Sequence, residues 1–322
     1  MNNILICSAG QRVSLVRAFQ KELKLIFPDA KVFTVDNNPS LAPACHVSDG
    51  YQKVKRVNEA GYIDELINIC IEKGIKLIVP TIDTELKILS EHRQQFLERG
   101  IIPIVSDNDF VEKCRDKRLI NIFFQENDIE IPRPIDKNAL EFPLFLKPYD
   151  GSLSKDIFLI HNKEELTDYH LNHPKLMFME YIPPQLYSEF TVDAYYNQEG
   201  VFKCAVPRKR IFVRAGEINK GVTSKNRLLE IIKEKLSIIK GARACLTMQF
   251  FMHNENKRIV AIEINPRFGG GYPLSYLAGA NFPKWIIEEY IQGKEICPFE
   301  GWEDQLLMLR YDDEILVHGY KE

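Results

Sequence analysis

The sequence predicts an α/β domain built on a parallel sheet, followed by two α+β units, and three observations predict it. The first third alternates short apolar runs with helical stretches, the βαβα rhythm of a parallel sheet with helices on both faces. Near residue 115 that rhythm stops, and Pro132 and Pro134 lead into a small unit of strands and turns. Beyond about residue 180, long strands dominate. A chain of 322 residues has room for two or three such units, each with a real core.

The elements follow in order. Residues 3–8 form an apolar run, and Leu15, Phe19, Leu23 and Ile26 then recur at helical spacing. The pattern predicts a strand over 31–36, a helix over 63–73, a strand over 77–80, a helix over 84–99 and a strand over 101–105. A helix over 116–126 opens the second unit. Strands over 143–148 and 157–161 flank a turn at 149–156, and another helix opens near Lys163. The last unit has strands over 189–197 and 201–214, then a helix over 227–239. An antiparallel pair follows, 246–253 with 258–266, joined across Asn254-Glu255-Asn256-Lys257. The tail LLMLRYDDEILVHG reads as a final hairpin packed on the core.

Composition excludes several classes. Lys+Arg 42 against Asp+Glu 45 leaves a net charge of -3, which argues against a strongly basic nucleic-acid binder. No run of about 18 apolar residues occurs, so no membrane span is expected. MNNILICSAG lacks a basic n-region and reads as a first strand rather than a signal peptide. The cysteines are never spaced C-x-x-C, which predicts reduced, mostly buried thiols and a cytoplasmic protein. Ser8-Ala9-Gly10-Gln11-Arg12 has one glycine, so the dinucleotide fingerprint G-x-G-x-x-G is absent and hydride transfer loses its main support. That turn either holds a small anionic acceptor or caps the helix behind it. Further acceptor candidates at the same sheet edge are Asp36, Asp83 and Glu85, with Gly269 to Gly271 and Ser275 later in the chain.

Three segments carry chemistry. In RIVAIEINPRFGGG, residues two apart share a strand face, so Glu263 and Asn265 project together. Gln249, on the preceding strand, can lie beside them. Three oxygen-bearing side chains on one face suit Mg²⁺, which shares its shell with phosphates and water, and Arg267 follows to meet a phosphoryl oxygen. An ordinary polar strand end is the alternative, although a carboxylate between Ile262 and Ile264 needs a partner. In PLFLKPYDGSLSKDIFLI, Lys147 closes an apolar strand before a Gly-Ser turn able to fold over a polyphosphate. In MFMEYIPPQLYSEFTVDAYY, a strand edge leaves one unit for the next, offering backbone groups to adenine and a nearby acid to ribose.

Together and in this order, these segments resemble the ATP-grasp superfamily, in particular single synthetase units of the carbamoyl phosphate synthetase large chain and related small carboxylate–amine ligases. The resemblance implies a Rossmann-like N-terminal parallel sheet followed by a two-lobed ATP-grasp fold. The units would be residues 1–112, 113–179 for the small lobe with its phosphate loop, and 180–322 for the large lobe with the metal site. It implies nucleotide contacts from Lys117, Lys147, the loop residues Gly151, Ser152 and Ser154, the linker Glu180, Tyr181 and Ile182, and the ribose acid Glu189. It implies metal ligands Gln249, Glu263 and Asn265, and makes Arg210 and Arg267 the cations around the γ-phosphate and acyl phosphate. Asp156 stands where relatives often carry a further glycine.

The implied activity is ATP- and Mg²⁺-dependent, with Mn²⁺ as the alternative ion. A small carboxylate would become an acyl phosphate and then be joined to an amine. Carbamoyl phosphate synthesis itself is not expected, since in that family it uses two tandem units and a glutaminase. Two other readings stay open at this point: a kinase acting on a carboxylate or amide without ligation, and a non-catalytic nucleotide-binding accessory protein. The expected partners are small-molecule carboxylate and amine substrates, with no nucleic acid and no membrane, and a homodimer on base rates.

Overall fold

The computed structural model describes residues 2–150, 156–214 and 216–320. The first unit runs β1 (Asn3–Cys7), α1 (Val13–Ile26), β2 (Val32–Asp36), α2 (Pro43–Val47), β3 (Tyr51–Lys53), α3 (Tyr62–Glu72), β4 (Ile75–Pro80), α4 (Asp83–Glu91), α5 (Arg93–Leu97) and β5 (Ile102–Pro103). Its sheet has the order β3-β2-β1-β4-β5, and every pairing is parallel. β1 is central and buried throughout, which is why ILIC is an unbroken apolar run rather than an alternating one. α1 buries Leu15, Phe19 and Leu23 as one stripe. Strand order reverses between β1 and β4, so the loops after these two strands open a crevice at their carboxyl ends. Thr81 ties the two loops together by donating its hydroxyl to the carbonyls of Cys7 (3.0 Å) and Ser8 (2.7 Å).

The single helix expected over 84–99 is two helices. The chain turns at His92, and the turn carries Phe96 into full burial beneath the sheet. α2 and β3 are additions that the apolar pattern did not predict.

α6 (Asn108–Arg115) and α7 (Lys117–Glu126) come next, divided at Asp116, whose side chain accepts the Arg118 backbone N–H at 2.9 Å. That cap is the physical reason α7 begins where the sequence predicted a helix start. β6 (Leu144–Pro148), β7 (Phe158–Ile160), α8 (Asp168–Asn172) and β8 (Leu176–Glu180) build a small antiparallel sheet, ordered β7-β6-β8. Leu144, Leu146, Ile160, Leu176 and Phe178 fill its core.

The remaining elements are β9 (Tyr187–Tyr196), β10 (Phe202–Arg214), β11 (Glu217–Thr223), α9 (Arg227–Lys235), β12 (Ala244–His253), β13 (Ile259–Asn265), α10 (Tyr272–Leu277), α11 (Phe282–Tyr290) and β14 (Leu307–Leu309). They form a six-stranded antiparallel sheet ordered β13-β12-β9-β10-β11-β14. One face packs Phe190, Val192, Met248 and Phe250 against Phe124 of α7 and Leu228 and Ile232 of α9. On the other face, Tyr195, Cys204 and Cys245 share a core with Ile4 and Phe19 of the first unit and Phe282 of α11. The first unit and the large sheet therefore bury apolar surface against each other. α7 precedes the small sheet in the chain, yet its core contacts lie with the large one.

A buried polar link fixes α11 to β9. The Tyr195 hydroxyl donates to Glu289 at 2.6 Å, and the same carboxylate accepts the Gln198 N–H at 2.8 Å. Tyr195→Phe is expected to lower unfolding free energy by about 1–3 kcal/mol, read from a denaturant midpoint, because the buried acid loses a donor.

The expected terminal hairpin is absent. Of the tail only β14 forms a strand, paired with β11, and residues 310–320 other than the half-buried Ile315 lie exposed. Among the described residues no helix is long and apolar enough to cross a membrane. The cysteines are free thiols, five of them buried.

Candidate functional site

The large sheet places the predicted polar residues on one face. Gln249 stands directly opposite Glu263, and Thr247 opposite Asn265. Directly opposed residues of an antiparallel pair share a face. On the other flank of β12, Gln249 opposes Thr191, and β9 also carries Glu189, two residues away on the same face. Arg210 of β10 reaches Glu189 from the next strand, with Nη1 2.9 Å from Oε1. A polar stripe thus crosses β13, β12, β9 and β10, while the residues alternating with it form the apolar core beneath.

Lys147 and Lys117 approach this stripe from the small sheet and from α7. Lys147, the penultimate residue of β6, is 7% exposed. Among the described residues no carboxylate lies within 4.0 Å of it. Burial pushes its ammonium down to about 8; the charge of Lys117 pushes the same way, and Glu263 opposes both. Lys117 begins α7 and sits 4.0 Å from Glu263 Oε2, and its backbone N–H bonds to the Tyr149 carbonyl at 2.8 Å. Burial raises the Glu189 carboxyl, against the pull of Arg210. Both lysines feel the charge of Glu263, Lys117 at 4.0 Å and Lys147 from beyond that distance.

Asn265 Nδ2 donates to Glu263 Oε1 at 2.9 Å. Glu263, Asn265 and Gln249 therefore present an all-oxygen donor set with one negative charge. Among the described residues, no three His, Cys, Asp or Glu side chains cluster so as to hold a metal ion, so this set has a single carboxylate and two neutral amides. This set fits a hard cation that completes its shell with phosphate oxygens and water.

Other predicted residues occupy different settings. Glu180 ends β8, and its carboxylate accepts from Arg258 Nη2 at 2.9 Å; Arg258 also holds Glu130 at 2.7 Å. Tyr181 and Ile182 follow, both half-buried, where the chain passes from the small sheet to β9. Arg267 lies past β13 and pairs with Asp83 at the start of α4, at 2.8 Å. Gly151, Ser152 and Ser154 lie outside the described residues. Arg208, two residues before Arg210 on β10, is 1% exposed and bound to the fully buried Asp193 at 2.7 Å.

Several acceptor candidates have structural duties instead. Ser275 donates to Asp193 at 2.6 Å inside the core. Glu85 is fully buried, hydrogen-bonded to Tyr62, and pushed up to about 7 chiefly by burial. Asp36 accepts from the backbone of Gly10 at 3.0 Å and of Asn38 at 2.9 Å, which fixes the turn after β1.

That turn borders a cleft of about 260 Å³ at the β1–β4 switch point, closed on its far side by Gly269 and Gly270. Arg12, Glu217 and Arg310 supply its charges. Glu217 and Arg310 carried no expectation from the sequence. Glu217 lies at the tip of a hairpin and Arg310 in the tail, and no local pattern links either to residue 12.

Residues 4–104 match the family of PylC-like N-terminal domains, and residues 172–305 match the family described as ATP-grasp in the biosynthetic pathway with Ter operon. The ATP-grasp match thus falls on residues 172–305, which hold most of the large antiparallel sheet. Among solved structures, the chain is similar to the biotin carboxylase domain dimer of Hydrogenobacter thermophilus 2-oxoglutarate carboxylase, a complex with MgADP, ADP and bicarbonate. The identity is 15% over 94% of this chain and 73% of that one, with a TM-score of 0.74. Similarity to N5-carboxyaminoimidazole synthetase from Staphylococcus aureus is 15% in identity, over 92% and 78%, with a TM-score of 0.66. For the biotin carboxylase of Campylobacter jejuni the values are 13%, 90% and 70%, with 0.69. No curated protein matches the chain. At these identities the likeness establishes the ATP-grasp fold: a parallel N-terminal sheet, a small antiparallel sheet and a large antiparallel one.

Proposed function

We propose that this chain is an ATP- and Mg²⁺-dependent ligase that activates a small carboxylate as an acyl phosphate and joins it to an amine. The observation that carries the reading is Lys147: a buried cation with no carboxylate within 4.0 Å among the described residues, beside Lys117, at the polar stripe of the large sheet. A buried charge in that state is costly, and a polyphosphate would supply the missing anion. The MgADP and ADP complexes among the structural neighbours agree with such a ligand.

In this reading the units are 1–112, 113–179 and 180–322, and ATP lies between the last two. Lys117 and Lys147 hold phosphate oxygens, with Gly151, Ser152 and Ser154, outside the described residues, as further phosphate contacts. Glu180, Tyr181 and Ile182 offer backbone groups to adenine. Glu189 and Arg210 part from each other, the first to the ribose hydroxyls and the second to the γ-phosphate. Gln249, Glu263 and Asn265 hold Mg²⁺ (Mn²⁺ being the alternative), which when bound would draw charge from the phosphoryl group. A carboxylate oxygen attacks the γ-phosphorus while its bond to the bridging oxygen breaks and ADP leaves. The amine nitrogen then attacks the acyl carbon, releases inorganic phosphate and gives up its proton. Arg267 stabilises the acyl phosphate between the two steps. Small molecules are the substrates, and a cytoplasmic homodimer is taken as the working form.

A coupled ADP-release screen of carboxylates against amines, with product mass determined, tests this. ADP, phosphate and an amide in equal amounts are expected. A phosphorylated small molecule with no amide would convert the assignment to a kinase. Mg²⁺-independent ATP binding without turnover would make the chain an accessory protein.

A further inference from the structure

We propose that the cleft at the β1–β4 switch point binds the carboxylate of an amino-acid-sized ligand on Arg12 and Arg310, and that Glu217 is an internal stand-in for that carboxylate. Glu217 Oε1 lies 3.4 Å from Arg12 Nη1, and Oε2 lies 3.2 Å from Arg310 Nη1. One carboxylate thus bridges two guanidinium groups that come from opposite ends of the chain. A carboxylate is the chemistry those two arginines already hold.

The bridge is built to be exchanged. Glu217 is 47% exposed and follows Gly216, whose φ of 79° is glycine territory at the β10–β11 tip. Arg12 is more enclosed, at 21% exposure. Burial pushes its guanidinium down; Arg267 and Arg310 add to that, against Glu217 and Asp83. The charged side chains lining the cleft are two arginines and one acid, a positive surplus that a single ligand anion neutralises. The first turn of α1 also borders the cleft through Ser14 and Leu15, and it has no side-chain cap and no acidic residue. An anion beside that turn gains further stabilisation from the positive end of the helix dipole.

Size and position narrow the ligand. About 260 Å³ falls below the usual range of roughly 300–1,000 Å³ for drug-sized ligands, so the occupant is small. Gly270 forms part of the wall: a Cβ there would come within 2.4 Å of Glu217 Oε1 and 2.6 Å of Arg12 Nη1. Gly269 and Gly270 of the wall follow closely in the chain after β13, which carries Glu263 and Asn265. This assignment rests on the ligase reading only for the ligand's status as a substrate. The binding itself needs no ATP.

The test titrates the full chain, without nucleotide, with the proteinogenic L-amino acids, their α-amides, the matching deaminated acids and inorganic phosphate, by calorimetry and thermal shift. Acids are expected to bind and amides are not. Arg12→Gln should weaken the best acid about tenfold or more, the loss of a charge-assisted hydrogen bond. Glu217→Gln should tighten it several-fold, because the competing carboxylate is gone. The deaminated acids separate an amino-acid ligand from a simple acid. Equal binding of amides, phosphate bound more tightly than every acid, weaker binding by Glu217→Gln, or no binding to either protein would each overturn the assignment. Mg-ATP titrated into the same samples reports on the ligase reading separately: its failure with acid binding intact would sink that reading and leave the cleft assignment standing.

Discussion

Replacing Lys147 with methionine is expected to make the protein more stable and a worse nucleotide binder. The lysine is 7% exposed, with an ammonium pushed down to about 8 from its ordinary 10.5, chiefly by burial. At about 1.36 kcal/mol per unit, holding that charge at neutral pH costs the fold on the order of 3 kcal/mol. Methionine keeps most of the apolar stem and removes the charge, so unfolding free energy should rise by up to about 3 kcal/mol.

The pH dependence gives the sign independently. Between about pH 8 and 10.5 the unfolded chain still holds a proton that the native chain has released. Native stability should therefore climb through that window in the unaltered protein, and this increment should vanish in Lys147→Met. ATP works the other way. Phosphate charge raises the ammonium again, so ATP binding should take up protons near pH 8–9 and weaken as pH rises further. Calorimetry in buffers of different ionisation enthalpy measures that uptake. The variant should lose about tenfold to a hundredfold in ATP affinity and show no such uptake. Unchanged affinity would remove Lys147 from the phosphate site.

Much of this was legible because it depended on period and order. The face shared by Glu263 and Asn265 follows from strand period alone, and the placement of Gln249 beside Glu263 needed only the short Asn254–Lys257 connection. Central strands such as β1, with ILIC after Asn3, declared themselves by continuous apolarity. What escaped was set by tertiary contact. EINKGVT carries a lone isoleucine and a lone valine around a glycine, so β11 gave no strand signal, yet it pairs on both sides in the sheet. The two-helix form of 83–97 depends on where Phe96 finds its core. The tail's apolar residues mimicked a hairpin, although Leu309 and Leu316 are exposed. Ser275 and Glu85 looked like free polar groups, but both are committed inside cores. The Glu189–Arg210 and Arg267–Asp83 pairs, and the Arg12–Glu217–Arg310 bridge, join residues far apart in sequence, and sequence spacing holds no record of such contacts.

Glu263→Gln tests the other half of the site and should have the largest effect on turnover. Glu263 is the one carboxylate of the proposed metal set, and glutamine keeps its shape while removing the charge. The loss should amount to several kcal/mol of transition-state stabilisation, on the order of 10³-fold in turnover. Two effects that do not depend on catalysis accompany it. Glu263 supports the charged form of Lys147, so its removal should drive that ammonium below about 8 and move the rising limb of the stability–pH curve to lower pH. Glu263 also raises the Glu189 carboxyl, which should fall in the variant. Nucleotide binding then separates two roles for this carboxylate. If it holds Mg²⁺, the variant should bind metal-free ATP more tightly, because a negative charge beside the phosphates is gone, and added Mg²⁺ should no longer strengthen that binding. If it merely neutralises Lys117 and Lys147, Mg²⁺ should strengthen ATP binding in both proteins alike. Titrations with and without Mg²⁺ read the difference directly, and a variant retaining both its Mg²⁺ response and its turnover would place the metal elsewhere.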